Sequence, residues 1–172
     1  MKRALLSVLL GVAAVGASAQ EKGYLSVMPG HQFSGSYMNS SSFVASVDGG
    51  YFFNKTFGMH FGVLYNDKGF DWASFEIAEI GAEFAGQLGD SGQFYGQLNL
   101  GYTFGLSSNH TYLSPWGFYT VKRIDVWTPG AAVGYRYYFN RQVGLNIQAA
   151  YHQLGSGGEA FSDVRVGVIW KF

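Results

Sequence analysis

The stretch "GYRYYFNRQVGLNIQAAY", Gly134 to Tyr151, holds two alternating segments separated by a short polar interruption. In the first, Tyr135, Tyr137 and Phe139 fall on one parity and Gly134, Arg136 and Tyr138 on the other. In the second, Leu145, Ile147, Ala149 and Tyr151 alternate with Gly144, Asn146, Gln148 and His152. Successive side chains of an extended chain point to opposite faces, so each segment reads as a strand with one apolar face. Between them stand Asn140 and Arg141. Asn bonds its own backbone locally and tolerates the left-handed region, which makes this a tight turn and the whole stretch a β-hairpin.

Working outward, the same phrase recurs. "YFFNKTFGMHF", Tyr51 to Phe61, matches "YYFNRQVGLNI", Tyr137 to Ile147, with Asn54 and Lys55 in the place of Asn140 and Arg141. The terminal segment "VRVGVIWKF" alternates Val164, Val166, Val168, Trp170 and Phe172 with Arg165, Gly167, Ile169 and Lys171. Phe94, Leu98, Leu100, Tyr102 and Phe104 alternate in the same way with Tyr95, Gln97, Asn99, Gly101 and Thr103. In each case one face is greasy and the other polar or small.

Composition says what the greasy face meets. Aromatic residues are 18% of the chain, there are 25 glycines, and charged residues are 13%, where soluble domains carry about 25%. Many side chains therefore face something other than water. No apolar run beyond the first twenty residues approaches the roughly 20 residues a membrane helix needs. The remaining way to cross a bilayer is a closed barrel, in which every backbone N–H and C=O is paired and only alternate side chains are apolar. A soluble two-sheet sandwich explains the alternation equally well, but explains poorly why aromatics gather at strand ends.

The beginning of the chain gives the compartment. "MKRALLSVLLGVAAVGASA" has a basic start (Lys2, Arg3), an apolar run and a small-residue end (Ala17, Ser18, Ala19). This predicts a secretory signal peptide over residues 1–19, cleaved before Gln20, and a single mature domain over residues 20–172. Eleven basic residues balance eleven acidic ones across the chain. With no concentrated basic face, nucleic acid is excluded as a partner. There is no cysteine, so neither disulfides, a lipid-attachment thiol nor a thiolate metal site is available.

Strands are predicted near residues 23–34, 42–53, 57–67, 74–88, 92–106, 124–139, 143–154 and 162–172. The expected fold is all-β, an eight-stranded antiparallel transmembrane up-and-down β-barrel. Pro29 in the first strand lacks a ladder donor and predicts a bulge or an irregular edge. "FNKT", "LGDSG" and "FNRQ" are tight connections, whereas residues 35–41, 68–73, 107–123 and 155–161 are longer or looser. Short turns at one end and long loops at the other suit a barrel with its short end in the periplasm. Tyr51, Phe53, Phe57, Phe94, Tyr137, Phe139, Trp170 and Phe172 then share one aromatic girdle, and Tyr65, Trp72, Tyr102, Phe104, Trp127 and Tyr151 the other.

These features resemble the small eight-stranded outer-membrane β-barrels, the OmpA-like transmembrane domain and OmpX/OmpW-like group. The likeness covers essentially all of residues 20–172, with "GYRYYFNRQVGLNIQAAY" and "VRVGVIWKF" carrying most of it. It implies an integral protein of a Gram-negative outer membrane, in contact with its lipid and lipopolysaccharide. It also implies that Trp170 and Phe172 form the terminal signal read by the barrel-assembly machinery.

For function the sequence offers an interior and a loop. Asp48, Glu79, Glu83, Arg136, Arg165 and Lys171 point inward by parity, with His60, Gln97, Asn99, Asn146 and Gln148. Eight strands leave room only for side chains, and opposite charges confined there must pair, which predicts a polar plug. Glu83, with Asp48 or Glu79, is expected to pair with Arg136 or Arg165. The loop "SSNHTYLSPWGFYTVKR" concentrates Tyr112, Trp116 and Phe118 beside Lys122 and Arg123, as anchors for an extracellular ligand of unnamed chemistry.

The expected role is envelope-structural or surface interaction through extracellular loops. The alternatives are a narrow channel for small or apolar solutes, and a lipid A-modifying hydrolase. For the last, "YHQLGSGGE" supplies His152, Ser156 and Glu159. Lipid A deacylases of this scaffold, however, carry the Ser two residues from the His, where this chain has Leu154. No catalytic residue, cofactor or metal is assigned, because His31, His60 and His110 lack the spacing of a metal site along a strand or helix.

Overall fold

A computed structural model describes residues 23–33, 42–67, 74–104, 111–114, 117–120, 126–155 and 159–172. The strands are β1 (Gly23–Phe33), β2 (Ser42–Phe52), β3 (Phe57–Asn66), β4 (Phe75–Leu88), β5 (Gly92–Phe104), β6 (Thr111–Ser114), β7 (Gly117–Thr120), β8 (Val126–Tyr138), β9 (Val143–Leu154) and β10 (Glu159–Lys171). Eight of them close into an antiparallel barrel in the order β1-β10-β9-β8-β5-β4-β3-β2, while β6 and β7 form a separate two-stranded sheet. No helix of the described residues is long and apolar enough to cross a membrane, so crossing falls to the strands. The architecture is a transmembrane up-and-down β-barrel.

Closure comes from the chain ends. β1 pairs with β10 from Tyr24↔Lys171 to Phe33↔Ser162, and Gly23 and Phe172 exchange backbone N–H···O bonds of 3.2 and 3.1 Å. A closed ladder has no unpaired edge, which is what a low-dielectric surrounding demands.

Three features refine the sequence reading. At Pro29 the irregular edge occurs and the bulge does not: β1 keeps one continuous register with β2, and pairing with β10 lapses after Val27↔Val168 and resumes at Gly30↔Arg165 without a shift. The missing N–H thus removes ladder bonds on one side only. β10 begins at Glu159, opposite Leu154, so the last connection shortens to residues 155–158. Phe161 draws this segment into the barrel, buried against Phe75 and His152. Finally, the long loop carries its own ladder, from Thr111↔Thr120 to Ser114↔Gly117.

The repeated phrase has one structural meaning. Asn54 Oδ1 accepts from the N–H of Thr56 (2.9 Å) and Phe57 (2.8 Å), and Asn140 Oδ1 accepts from Gln142 and Val143, both at 2.8 Å. Phe53 N–H donates to Phe57 O and Phe139 N–H to Val143 O, each at 3.0 Å. Two hairpins thus turn through the same side-chain-closed loop.

The barrel's outer surface is apolar. Ile80, Leu98, Leu100, Val133, Leu145, Ile147, Val164, Val166 and Val168 are all exposed. At the short-turn end this belt is edged by a chain of aromatic contacts, Tyr51–Phe53, Phe53–Phe57 and Phe57–Phe84, with Phe94–Tyr135 and Tyr137–Phe139 further round, at centroid separations of 4.8–5.7 Å. At the other end, Tyr102 meets Phe104 and Trp127, and Tyr65 and Tyr151 are exposed nearby. Trp72 and residues 1–19, the expected signal peptide, lie outside the described residues.

Candidate functional site: the barrel lumen

The inward parity of every barrel strand fills the interior in layers. Nearest the short turns, Tyr24, Tyr138 and Ile169 pack with Phe52, and Lys171 Nζ lies 4.2 Å from the centre of the Tyr138 ring. Nearest the loops, Val44, Leu64, Phe75, Ile77, Leu154 and Phe161 form an apolar cluster, joined by Val126, with Gln32, Ser42 and Asn66 hydrogen-bonded beside it. Between these two clusters lie two polar layers.

The first polar layer is built round Arg136. Its Nη1 and Nη2 donate to Glu83 Oε1 (2.5 Å) and Oε2 (3.0 Å), a two-pronged pair reaching from β8 to β4 across β5. The guanidinium is stacked between two rings, with Cζ 4.0 Å from the centre of Tyr24 and 3.9 Å from that of Tyr95. Glu83 also accepts from the Tyr24 hydroxyl and, at 2.8 Å, from Gln97 Nε2. Gln93 Oε1 accepts from Arg136 at 3.3 Å, Gln148 Nε2 donates to Gln97 Oε1 at 2.7 Å, and Tyr95 donates to Asn146 Oδ1 at 2.8 Å. Four of the eight barrel strands thus meet on one ion pair, and β9 joins them through Gln97 and Tyr95. Gly134 makes room for it: a Cβ there would collide with the ring of Tyr95.

The second polar layer is a closed ring of six ionisable side chains in which acids and bases alternate. Asp48 Oδ1 lies 3.2 Å from His60 Nε2, and His60 Nε2 lies 4.0 Å from Glu79 Oε1. Glu79 Oε2 is 3.9 Å from His152 Nδ1, and His152 Nε2 is 3.1 Å from Asp163 Oδ2. Asp163 Oδ1 meets Arg165 Nε at 2.7 Å, and Arg165 Nη1 returns to Asp48 Oδ2 at 3.9 Å. The Arg165 contacts bring charges together without aligned N–H vectors, so they are ion contacts and not hydrogen bonds. Asp48 Oδ2 is also held by Ser46 Oγ at 2.5 Å. Both oxygens of Glu79 are buried and have no hydrogen-bond partner among the described residues.

All five residues singled out from the sequence as a lumen network, Asp48, Glu79, Glu83, Arg136 and Arg165, are buried inside the barrel. They divide between the two layers, Glu83 with Arg136 and the other three in the ring. Sequence reasoning missed Tyr24 and Asp163 as partners. Both stand on the inward parity of their strands, Tyr24 with Ser26 and Asp163 with Arg165, and that signal was present.

The remaining candidates lie elsewhere. Trp170 is exposed on the outer face of β10, and Phe172 carries the last backbone bonds to Gly23. Tyr112 pairs with Tyr119 and Phe118 with Leu113 across β6 and β7, whereas Trp116 lies outside the described residues. His152 turns inward, stacked on Phe161 at 4.7 Å, and Ser156 lies outside the described residues.

No protein-family model matches the chain, and no curated protein is significantly similar to it in sequence. Solved structures do match. Neisserial surface protein A is 15% identical with a TM-score of 0.62, covering 87% of this chain and 97% of that one. The attachment invasion locus protein Ail of Yersinia pestis is 13% identical with a TM-score of 0.62, covering 89% and 100%. The N-terminal β-barrel domain of Pseudomonas aeruginosa OprF is 14% identical with a TM-score of 0.62, covering 88% and 98%. At these identities the likeness is one of fold, and the fold is that of the small eight-stranded outer-membrane barrels.

Proposed function

We propose that this chain is an integral outer-membrane barrel with a sealed lumen, serving the envelope as a structural and surface-interaction protein through its extracellular loops. The observation that carries the reading is the Arg136–Glu83 pair clamped between Tyr24 and Tyr95, which spans the interior with buried, mutually paired groups. An apolar cluster on its loop side and the Tyr24, Tyr138 and Ile169 cluster on its turn side support the same conclusion. The exposed apolar belt with its aromatic borders fits outer-membrane lipid and lipopolysaccharide as its surroundings. Trp170, on the outer face of the closing strand, is accessible to an assembly factor before closure. Two of the similar structures are a surface protein and an attachment protein by name, which is consistent with a surface role. The inward turn of His152 toward Asp163 argues against a hydrolytic triad at the lipid-facing rim.

Two measurements test this. The folded barrel, identified by heat-modifiable gel migration, is expected to be silent in a planar bilayer. Discrete, reproducible conductance steps would replace the sealed reading with the channel. Cells displaying the protein with Tyr112, Trp116 and Phe118 changed to Ser are expected to attach less well to surfaces and to one another than cells displaying the original. Equal attachment would remove the long loop from the proposal.

A further inference from the structure

The ring of six is short of positive charge. Asp48, Glu79 and Asp163 carry three negative charges against one on Arg165, and all six members are buried. Two units of positive charge are therefore needed to bring the cluster to neutrality, since unpaired buried charge is costly. Two imidazolium protons would supply them, and so would one divalent cation.

The geometry on one side of the ring favours the cation. Asp48, Gly62 and Glu79 are direct neighbours across β2, β3 and β4, and His60 stands on the same face two residues along β3. One donor atom from each of Asp48, His60 and Glu79 lies within 4.8 Å of the others. Gly62 carries no side chain into the space on which they converge. A Cβ built there would lie 2.5 Å from Asp48 Oδ1, 3.3 Å from His60 Nε2 and 3.4 Å from Glu79 Oε1. Donors bound to one tetrahedral zinc ion sit about 3.3 Å apart, from bond lengths of about 2.0–2.2 Å. The 3.2 Å between Asp48 Oδ1 and His60 Nε2 matches this spacing, while Glu79 Oε1, 4.0 Å from His60 Nε2, would have to move inward to meet it.

The outer contacts have the arrangement that a metal site uses to aim its ligands. Ser46 and Arg165 hold or face Asp48 Oδ2, leaving Oδ1 toward His60. His152 faces Glu79 Oε2, leaving Oε1 on the side of His60. Glu79, buried and without a hydrogen bond among the described residues, is aimed into this space.

We propose that Asp48, His60 and Glu79 form a divalent-metal site inside the barrel. One imidazole with two carboxylates selects a first-row transition ion of the zinc type over calcium or magnesium, which prefer all-oxygen sites. The apolar cap above and the Arg136 layer below enclose it, so the ion would enter as the barrel folds. Its role there would be to tie β2, β3 and β4 together from within.

The test is to refold the full-length mature chain with CoCl2 or ZnCl2, confirm the folded form by gel migration, dialyse, and measure retained metal and the visible Co2+ spectrum. The original protein is expected to keep one equivalent, with a His-ligated Co2+ spectrum and a higher unfolding temperature than metal-free protein. His60→Gln removes a ligand, whereas Gly62→Ala leaves every ligand and fills the cradle; each is expected to weaken retention by about tenfold or more. His31→Gln, on the exposed outer face of β1, is expected to retain metal fully. If the folded original retains no metal, or retains it equally in the His60→Gln or Gly62→Ala barrel, the proposal fails and the ring is neutralised by protons.

Discussion

At the residue scale, the lumen makes sharp demands because its charges are buried away from bulk solvent. Glu83 satisfies Arg136 with both oxygens, so Glu83→Ala would leave a buried guanidinium with two stacked rings and no counter-charge. Losing one partner of such a pair costs about 3–5 kcal/mol, and this variant should show it as a lower urea midpoint for the folded gel species. Glu83→Gln keeps acceptor and size but not charge, and should fall between the two. A variant Glu83→Ala as stable as the original would mean that the network is not structural. Gly134→Ala tests the same layer from its other side. It touches no charge, yet it pushes the Tyr95 ring off Arg136, and it should destabilise the barrel although alanine suits a strand better than glycine in general. The alternation of Arg136 with Tyr135 and Tyr137 made its inward direction legible in advance. The sequence carried its pairing only as far as Glu83 with either Arg136 or Arg165, because both cations share the inward face and only the stagger between strands selects Arg136.

At the element scale, the turns and the outer belt obey different solvents. Asn54 and Asn140 each receive two backbone N–H groups in water-exposed turns, where replacement by Ala should cost about 1 kcal/mol per turn. The two turns share no partner, so the double variant should lose the sum of the single losses, as read from unfolding midpoints. The belt, by contrast, is graded by depth. Ile147→Arg, at the middle of β9, should destabilise by about 2–4 kcal/mol, while Tyr151→Arg near the rim of the same strand should cost only about 0–1 kcal/mol. Both residues are exposed, so equal effects would argue against a bilayer around the barrel. Strand positions were legible because period-two alternation is local. The early start of β10 and the ladder of β6 and β7 were not. The first depends on Phe161 finding Phe75 and His152 across the barrel, and the second on pairing within a loop of irregular composition.

At the scale of the whole molecule, an apolar cluster at each end of the lumen flanks two polar layers. Phe161→Ala opens the loop-side cap and should cost about 3–5 kcal/mol by leaving a cavity beside Phe75. It should still not conduct, because the Arg136 layer below remains intact; conductance in this variant alone would mean that the cap is the seal. By itself, the sequence determined the all-β class, the number of barrel strands and which side chains face lipid or lumen. It also determined the identical turns, since each follows from alternation, turn chemistry or composition within a few residues. Only the tertiary structure decided which inward charges meet. Asp48, His60 and Glu79 come from three strands and show no ligand spacing along the chain, and they converge because the register of β2, β3 and β4 places Gly62 between them. Register sums the geometry of the turns and the stagger of the closed sheet, so it belongs to no single stretch of residues.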